Sequence, residues 1–177
     1  MGINFNSHTE KSQKEEFLVS FVDSSFASEP GNKSRHGYTF FLWGLISWSS
    51  SCSKRVVLSS TEAECHGLVE AAKEAKWIRG FIKELCIFPP PPPVVMYQDN
   101  QSAIKLTGST GTFHKRSKHF GIEFDFFREI VSKKKIEVKY LHTHVLHADM
   151  LTKSLPRPLF VPHRERMMGG GERRIRV

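Results

Sequence analysis

Apolar runs separated by polar turns predict strands in the first third of the chain. FLVSFVD (17–23) is apolar enough for a buried strand. EPGNKSRHG (29–37) is rich in turn-forming residues and predicts a loop. GYTFFLWGLISWSS (37–50), interrupted by Gly44, predicts a hairpin of two strands, and RVVLSS (55–60) is a further β-prone segment.

A helical periodicity replaces the strand pattern between Thr61 and Leu85. Apolar residues recur there at steps of three and four, which marks one face of an amphipathic helix. That face consists of Leu68, Ala72, Ala75, Ile78, Ile82 and Leu85. Thr61 and Glu64 fit a capping box at the start of this helix. The proline run at 89–93 predicts the end of the helix and an extended spacer.

The second half of the chain predicts two strands and three helices. In chain order they are the strand VVMYQD (94–99), the helices QSAIKL (101–106) and FDFFREIVSKK (124–134), the strand KIEVKYLH (135–142) and the short helix HADMLTKSL (147–155). Asn100 is placed to cap the first of these helices. Three hairpin-like strands followed by crossover connections predict an α/β fold, in which helices cover a mixed sheet.

The composition is that of one globular domain. The chain has 177 residues, 39% of them hydrophobic, with 14 phenylalanines, which argues against disorder. The N-terminal MGINFNSHTE lacks the apolar core of a signal peptide, and Asn6 stands where a myristoylation site needs Ser or Thr. No apolar run reaches the roughly 20 residues that span a bilayer. We therefore expect an intracellular protein, cytoplasmic or nuclear, that is not secreted and has no membrane partner.

Cysteine usage and charge narrow the function further. The three cysteines form no CxxC pair, which indicates reduced thiols rather than a disulfide framework or a zinc site. The formal net charge of +8 favours nucleic acid or another polyanion as partner. A solvated lysine surface explains the same charge, so the charge alone does not decide between them.

Four carboxylates carry the candidate chemistry. They are Asp23, Glu64, Asp99 and Asp149, and three of the four aspartates of the chain belong to this set. Acids at the ends of strands and the starts of helices can converge in space although they are far apart in sequence. Mg²⁺ prefers oxygen ligands, and two ions about 3.5–4 Å apart can activate water and stabilise the leaving oxygen in phosphodiester cleavage. The set therefore predicts a metal site that cuts a polyanion.

Each acid also has a purely structural explanation. Glu64 on its own fits the capping-box partner of Thr61. Asp99 ends a strand, Asp149 is placed to cap the last helix, and Asp23 sits at a turn. The functional interpretation depends on all four occurring together in one compatible order.

Longer motifs surround these acids. They are SFVDSSFA (20–27), SRHGYTFFLWGLISWSS (34–50), LSSTEAE (58–64), YQDNQSAI (97–104), FHKRSKH (113–119), FFRE (126–129) and ADMLTKSLPRPLF (148–160). Together they resemble the ribonuclease H domain of Ty1/copia-type retrotransposon Pol polyproteins, over roughly residues 17–165. The resemblance implies the ribonuclease H-like fold, with a mixed five-stranded sheet and helices on both faces.

The resemblance also implies an activity, a metal-dependent endonuclease that hydrolyses the RNA strand of RNA–DNA hybrids. It implies that Asp23, Glu64, Asp99 and Asp149 are both the catalytic residues and the ligands of two Mg²⁺ ions, for which Mn²⁺ can substitute. Within STEAE it selects Glu64, which matches the catalytic glutamate of the family, and leaves Glu62 as support for the first turn of the helix. The alternative is a catalytically inactive, nucleic-acid-binding relic of the same fold. STEAE and DNQSAI argue against a related nuclease that cuts DNA.

The same resemblance predicts how the chain is divided. A flexible N-terminal arm (1–16) precedes the ribonuclease H-like domain (17–165), and a disordered basic tail (166–177) follows it. The chain lacks the Asp-Asp pair of a reverse transcriptase. We therefore expect a detached C-terminal fragment of a polyprotein, with a reverse transcriptase domain absent from this chain as a partner.

Five further residues are candidates for substrate contacts. They are Asn100, Gln101, Arg116, Lys118 and His142. Asn100 and Gln101 are predicted to touch the substrate backbone, although a helix cap explains Asn100 equally well. Arg116 and Lys118 belong to the basic segment HKRSKH, which fits either backbone phosphates or a solvated loop.

His142 has a different candidate role. In many cellular ribonucleases H a histidine assists product release, and His142, in HxHxxH with His144 and His147, comes shortly before the last acid. The simpler interpretation is that all three are partly exposed loop histidines. Cys65, Gly121 and Ser154 depart from the family pattern without removing a ligand acid, which keeps the inactive relic as the alternative.

Overall fold

The computed structural model describes residues 16–86, 90–108 and 118–169, except for the side chains of 118–120. Within these residues the strands are β1 (Leu18–Glu29), β2 (Lys33–Phe41), β3 (Leu45–Cys52), β4 (Val94–Gln98) and β5 (Ile136–Tyr140). The α-helices are α1 (Ser60–Glu84), α2 (Gln101–Gly108), α3 (Lys118–Ser132) and α4 (Arg157–Met167). Short 3₁₀ helices lie at Thr143–Val145 and His147–Leu151.

The strands form one mixed sheet in the order β3-β2-β1-β4-β5. The pairs β1–β2 and β2–β3 are antiparallel hairpins. The pairs β1–β4 and β4–β5 are parallel, which requires crossover connections of the kind that α1 and α3 provide. The α/β class and the mixed five-stranded sheet predicted from the sequence are therefore confirmed.

Alternation along the strands gives the sheet two unlike faces. Leu18 and Val22 of β1 point to the face that α1 and α3 cover, where most of the apolar core lies. Phe21 points to the other face, where it joins a smaller apolar cluster with Leu146. The 3₁₀ helix His147–Leu151 packs on that face, and α4 packs on the 3₁₀ helix. Helices thus cover both faces, as predicted.

Helix α1 uses a different cap from the one predicted. Ser59 is the N-cap, and its hydroxyl accepts a hydrogen bond from the N–H of Glu62 at 3.1 Å. The Glu62 carboxylate in turn accepts the N–H of Leu58 at 2.9 Å, in the manner of a capping box. The predicted capping box of Thr61 and Glu64 is therefore wrong, and Glu64 has no part in capping the helix.

Two strand predictions in the first third were also wrong. The loop predicted at 29–37 shrinks to a turn, because Gly31 and Asn32 adopt positive φ angles of 75° and 56° and the chain pairs again from Lys33. The β-prone segment at 55–60 forms no strand. At the start of this segment the Ser53 hydroxyl donates to the carbonyl of Arg55 at 2.8 Å and accepts the Arg55 N–H at 3.1 Å. Both backbone groups of Arg55 are therefore bonded to a side chain instead of to a neighbouring strand.

The end of the domain differs from the prediction as well. The segment 147–155 contains a 3₁₀ helix over His147–Leu151 instead of an α-helix, and a fourth α-helix follows it. Helix α4 holds two prolines, Pro158 near its start and Pro162 inside it, and for that reason its pattern does not predict a helix. It nevertheless buries His163 and Met167.

The edges of the folded region lie slightly outside the predicted ones. Helix α4 runs two residues past position 165, so Arg166 and Met167 are part of the folded region. Glu16, predicted in the arm, accepts hydrogen bonds from the Tyr97 hydroxyl at 2.8 Å and the Lys139 ammonium at 2.7 Å. The rest of the predicted arm (1–15) and the end of the predicted tail (170–177) lie outside the described residues. No described helix combines the length and apolar character needed to cross a membrane.

Candidate active site

The parallel pairing of β1 with β4 brings two of the four acids together. Phe21 of β1 is paired with Tyr97 of β4. Asp23 and Asp99 each come two residues later, so they lie side by side, with Asp99 directly after the end of β4 and Asp23 inside β1, which continues to Glu29. Asp23 is completely buried, whereas Asp99 is partly exposed.

Helix α1 adds the third acid because it packs very closely on β1. A Cβ atom at Gly67 would lie 2.4 Å from the Ser24 hydroxyl oxygen, so only glycine allows this approach. Glu64 lies almost one turn earlier on the same helix and is buried. One oxygen from each of Asp23, Glu64 and Asp99 falls within 4.8 Å of the other two. We call these three residues the acidic triad.

Asp149 enters from the opposite face of the sheet. Its 3₁₀ helix packs on β1 and β2 because Gly37, the partner of Asp23 in β2, leaves room for it. A Cβ atom at Gly37 would lie 2.8 Å from the Leu151 Cβ and 2.9 Å from the Thr152 Cγ2. Asp149 is buried and, with Asp23, forms what we call the bridged pair.

Lys153 bridges that pair. Its Nζ lies 3.4 Å from Asp23 Oδ1 and makes a shorter contact with Asp149 Oδ1. Lys153 lies within a quoted motif but was not among the predicted site residues. Its spacing of four residues from Asp149 is a signal that could have indicated the ion pair.

Neutral donors hold one carboxylate oxygen each of Glu64 and Asp99. The Gln98 amide donates to Glu64 Oε2 at 2.9 Å, and its carbonyl accepts the N–H of Asp99 at 2.7 Å. The Thr143 hydroxyl donates to Asp99 Oδ2 at 2.6 Å. Gln98 and Thr143 were not among the predicted site residues, because glutamine and threonine are not residue types that by themselves indicate a metal site.

Thr152 supports the bridged pair in the same way. Its hydroxyl donates to Asp23 Oδ2 and lies 3.1 Å from the carbonyl oxygen of Asp149. Thr152 is itself buried. The residue therefore ties β1 to the 3₁₀ helix and holds the Asp23 carboxylate in one orientation.

Burial, with repulsion between neighbouring carboxylates as a smaller cause, raises the pKa values of Glu64 and Asp23. Burial, together with the charge of Asp23, raises the pKa of Glu64 to about 9, although the hydrogen bond from Gln98 opposes this. Burial also raises the pKa of Asp23, while the Lys153 ammonium and the Thr152 hydroxyl act against the shift. Burial disfavours the charged form of Lys153, but Asp23 and Asp149 outweigh it and raise the pKa of the ammonium.

The acidic triad fits a divalent cation. Its donors are carboxylate oxygens, which Mg²⁺ and Mn²⁺ prefer. Within the described part of the chain, Glu64 and Asp99 have no ion-pair partner, so two of the three carboxylates lack a counter-charge. A cation bound among them would offset the mutual repulsion of the carboxylates and favour their charged forms.

The candidate substrate-contact residues lie in different settings. The Asn100 side chain accepts the N–H of Ala103 at 3.0 Å and so caps α2, while Gln101, the first residue of α2, is exposed. Arg116 lies outside the described residues, and Lys118 begins α3 without a described side chain.

His142 caps the 3₁₀ helix next to the cluster. It accepts the N–H of His144, and the two rings stack at 4.9 Å. Both histidines are exposed, whereas His147 is buried between aromatic rings. The interpretation of all three as exposed loop residues therefore fails for His147.

Sequence comparison relates the chain to retrotransposon polyproteins. It is 39% identical over 145 residues to the retrovirus-related Pol polyprotein from transposon TNT 1-94 of Nicotiana tabacum. The matched segment makes up 81% of this chain and 11% of that protein. It is 31% identical over 154 residues to the transposon Ty1-LR3 Gag-Pol polyprotein of Saccharomyces cerevisiae, covering 85% of this chain and 8% of that protein. The chain thus spans about a tenth of the length of these relatives. No protein-family profile matches it.

Structural comparison identifies the fold. The N-terminal RNase H domain of Rv2228c from Mycobacterium tuberculosis superposes with a TM-score of 0.56 at 13% identity, covering 84% of this chain and 96% of that one. LC11-RNase H1, solved in complex with an RNA/DNA hybrid, superposes with a TM-score of 0.55 at 14% identity, covering 76% and 93% of the two chains. At these identities the likeness establishes the ribonuclease H fold.

Proposed function

We propose that this chain, which is homologous over most of its length to Ty1/copia-type retrotransposon Pol polyproteins and has the ribonuclease H fold, is a metal-dependent endonuclease that hydrolyses the RNA strand of RNA–DNA hybrids. The observation that carries the proposal is the acidic triad, whose three carboxylates converge within 4.8 Å beside the bridged pair. A cluster of buried acids is costly without a cation, and its presence supports a catalytic purpose.

Asp23, Glu64, Asp99 and Asp149 would hold two divalent ions. When bound, such ions supply an activated water and stabilise the leaving oxygen of the phosphodiester. The task of the protein is to hold the carboxylates in position before substrate arrives. Gln98, Thr143 and Thr152 do this, because each donates to one carboxylate oxygen. The second oxygen of Glu64 and of Asp99 is left for a ligand role.

Substrate binding would depend on the surface beside the triad. Gln101 is exposed at the start of α2, two residues after Asp99. His142 is also exposed, and it directly precedes Thr143, whose hydroxyl donates to Asp99. Contacts to ribose 2′-hydroxyls on one strand would select the RNA. The net charge of +8 supports contacts to the phosphates of both strands.

The length of the relatives supports a second, broader proposal. Because those polyproteins are about ten times longer than the matching segment, we propose that the domain works beside further polyprotein domains, a reverse transcriptase among them. The hybrids that such an enzyme produces are the substrate class proposed above. We also propose that the activity lies inside the cell, in the cytoplasm or the nucleus.

The chain offers a matched pair of variants to test the catalytic proposal. Asp99→Asn removes one charge from the triad, whereas Asp125→Asn changes the one aspartate outside the cluster, which is exposed on α3. With a labelled RNA–DNA hybrid and Mg²⁺ or Mn²⁺, we expect Asp99→Asn to lower the initial cleavage rate by at least about 100-fold. Asp125→Asn should cleave like the wild type.

Two outcomes would reject the proposal. Equal rates for the two variants would mean that any cleavage arises elsewhere. Hybrid binding that weakens with salt, without metal-dependent cleavage by the folded wild-type chain, would instead establish the inactive relic.

A further inference from the structure

We propose that the Lys153 ammonium is an internal counter-ion that competes with a divalent metal ion for Asp23 and Asp149. Binding of two metal ions would then be unequal, with the triad filled first and the second ion bound only when Lys153 moves away. This inference rests on the proposed function, because it concerns how the same acidic cluster is loaded. It assigns a regulatory role to a residue that the catalytic proposal does not use.

The contacts of Lys153 support the competition. Its Nζ lies 3.4 Å from Asp23 Oδ1 and closer still to Asp149 Oδ1, so the ammonium contacts the two carboxylates that a bridging cation would use. Asp23 can give one oxygen to the triad and one to the bridged pair. The pair already holds a positive charge, whereas the triad members Glu64 and Asp99 have none within ion-pair distance among the described residues.

The exposure of the three side chains supports movement of the lysine. The side chain of Lys153 is 40% exposed, against 1% for Asp23 and 10% for Asp149. The ammonium therefore reaches a buried pair from the protein surface, on a flexible four-carbon stem. It can swing into solvent without opening the core, and Thr152 still holds the Asp23 carboxylate in place.

Electrostatics makes simultaneous occupancy unfavourable. A divalent ion and an ammonium within a few ångströms of each other repel, and the burial of the two carboxylates between them weakens the screening by water. Removal of the ammonium should therefore favour the second metal ion and disfavour the metal-free protein. These two opposite effects distinguish a competing counter-ion from a lysine that only supports the fold.

The test uses metal binding by the full chain in the absence of nucleic acid. Mn²⁺ titrations by calorimetry would compare the wild type with Lys153→Met, which removes the charge, and Lys153→Arg, which keeps it. Lys83→Met is the matched control, because Lys83 is exposed in the last turn of α1, about 28 Å along the helix from Glu64. We expect Lys153→Met to bind the second Mn²⁺ about tenfold more tightly, within the usual range of coupling between sites. Lys153→Arg and Lys83→Met should bind it like the wild type.

A second readout is the melting temperature with and without metal. In EDTA, Lys153→Met should melt below the wild type, because Asp23 and Asp149 then repel each other without a counter-ion. In saturating Mn²⁺ the difference should shrink or change sign. Lys83→Met should follow the wild type under both conditions.

The outcomes separate this inference from the proposed function. Unchanged or weaker binding of the second Mn²⁺ by Lys153→Met would overturn the competition, even if the wild type cleaves hybrids. Binding of a single Mn²⁺ by both proteins would overturn it too. Failure of hybrid cleavage with tighter second-ion binding in Lys153→Met would reject only the catalytic proposal.

Discussion

The acidic triad and the bridged pair share Asp23 but balance its charge differently. In the bridged pair the Lys153 ammonium lies between two carboxylates, and a buried hydroxyl completes the arrangement. In the triad, Glu64 and Asp99 have only neutral donors, Gln98 and Thr143, among the described residues. The bridged pair therefore carries its own counter-charge, whereas the triad gains most from binding a metal ion.

The largest expected effect comes from breaking the triad at Glu64. We expect Glu64→Gln to lower the rate of hybrid cleavage by at least about 100-fold and to abolish binding of the first Mn²⁺. Glu62→Gln is the matched control, because Glu62 lies two residues earlier and only accepts the N–H of Leu58. It should cleave at nearly the wild-type rate. Similar losses in both variants would mean that the start of α1, and not the triad, limits activity.

The pH dependence of stability tests the uncompensated charge of the triad. The pKa of Glu64 is about 9 in the folded protein against an ordinary value of 4.5. Between these values the unfolded chain has lost the Glu64 proton and the folded chain keeps it, so stability falls as the pH rises. In EDTA, from about pH 7 to about pH 8.5, we expect the free energy of unfolding to fall by at most about 1.4 kcal/mol per pH unit.

This window separates Glu64 from other buried groups. Burial lowers the pKa of His36 to about 4 and of His147 to about 3, which makes stability rise with pH chiefly below this window. Burial raises the pKa of Cys65 to about 12, which makes stability fall with pH chiefly above it. The raised pKa of Asp23 acts in the same direction as that of Glu64. Denaturant titrations of Glu64→Gln should give a flatter slope. A wild-type slope of zero or of opposite sign would contradict the description of the triad.

The sequence predicted the positions of the acids better than their supports. Asp23 and Asp99 each end an apolar run, which is enough to place them beside buried strand residues, although β1 continues past Asp23 to Glu29 and only Asp99 lies at a strand end. Ser59 was missed as a cap because Ser59–Glu62 and Thr61–Glu64 both fit the same spacing, and only the fold selects between them. Local pattern cannot make that choice, since it depends on where α1 meets β1.

The supports depend on contacts between residues far apart in the chain. Thr152 is 129 residues from its partner Asp23 in the sequence, and Thr143 is 44 residues from Asp99. No local motif therefore predicts either hydrogen bond. Lys153 is the exception, because its spacing from Asp149 follows the helical pattern of ion pairs.

Gly37→Ala should disturb the bridged pair through packing. The added Cβ would lie 2.8 Å from the Leu151 Cβ and 3.2 Å from the Ala148 carbonyl oxygen, which should destabilise the protein by about 1–3 kcal/mol. Gly80→Ala is the matched control, because nothing lies within 4 Å of a Cβ there. Because Gly80 lies inside α1, Gly80→Ala should raise the free energy of unfolding by up to about 1 kcal/mol. Urea titrations that rank the two variants in the opposite order would refute the close packing.

The smallest expected effects come from two threonines, Thr152 in the bridged pair and Thr143 beside the triad. We expect Thr152→Val to lower stability by about 1 kcal/mol, since it leaves a buried Asp23 oxygen without its donor. Thr143→Val should cost less, because Thr143 is exposed and water can replace its hydroxyl. Thr152→Ser should restore most of the loss. Thermal melts in EDTA would check the order, and equal losses at the two positions would contradict the different burial of the two halves.

The most direct measurement is cleavage of one RNA strand in three matched partners. The wild-type chain, with Mg²⁺, would be given the same labelled RNA in an RNA–DNA hybrid, in a duplex of RNA and as a single strand, beside a DNA duplex of the same sequence. We predict metal-dependent cleavage of the RNA strand in the hybrid, with the other three substrates cut far more slowly. Equal cleavage of all four, preference for the DNA duplex, or binding of the hybrid without any cleavage would contradict the account.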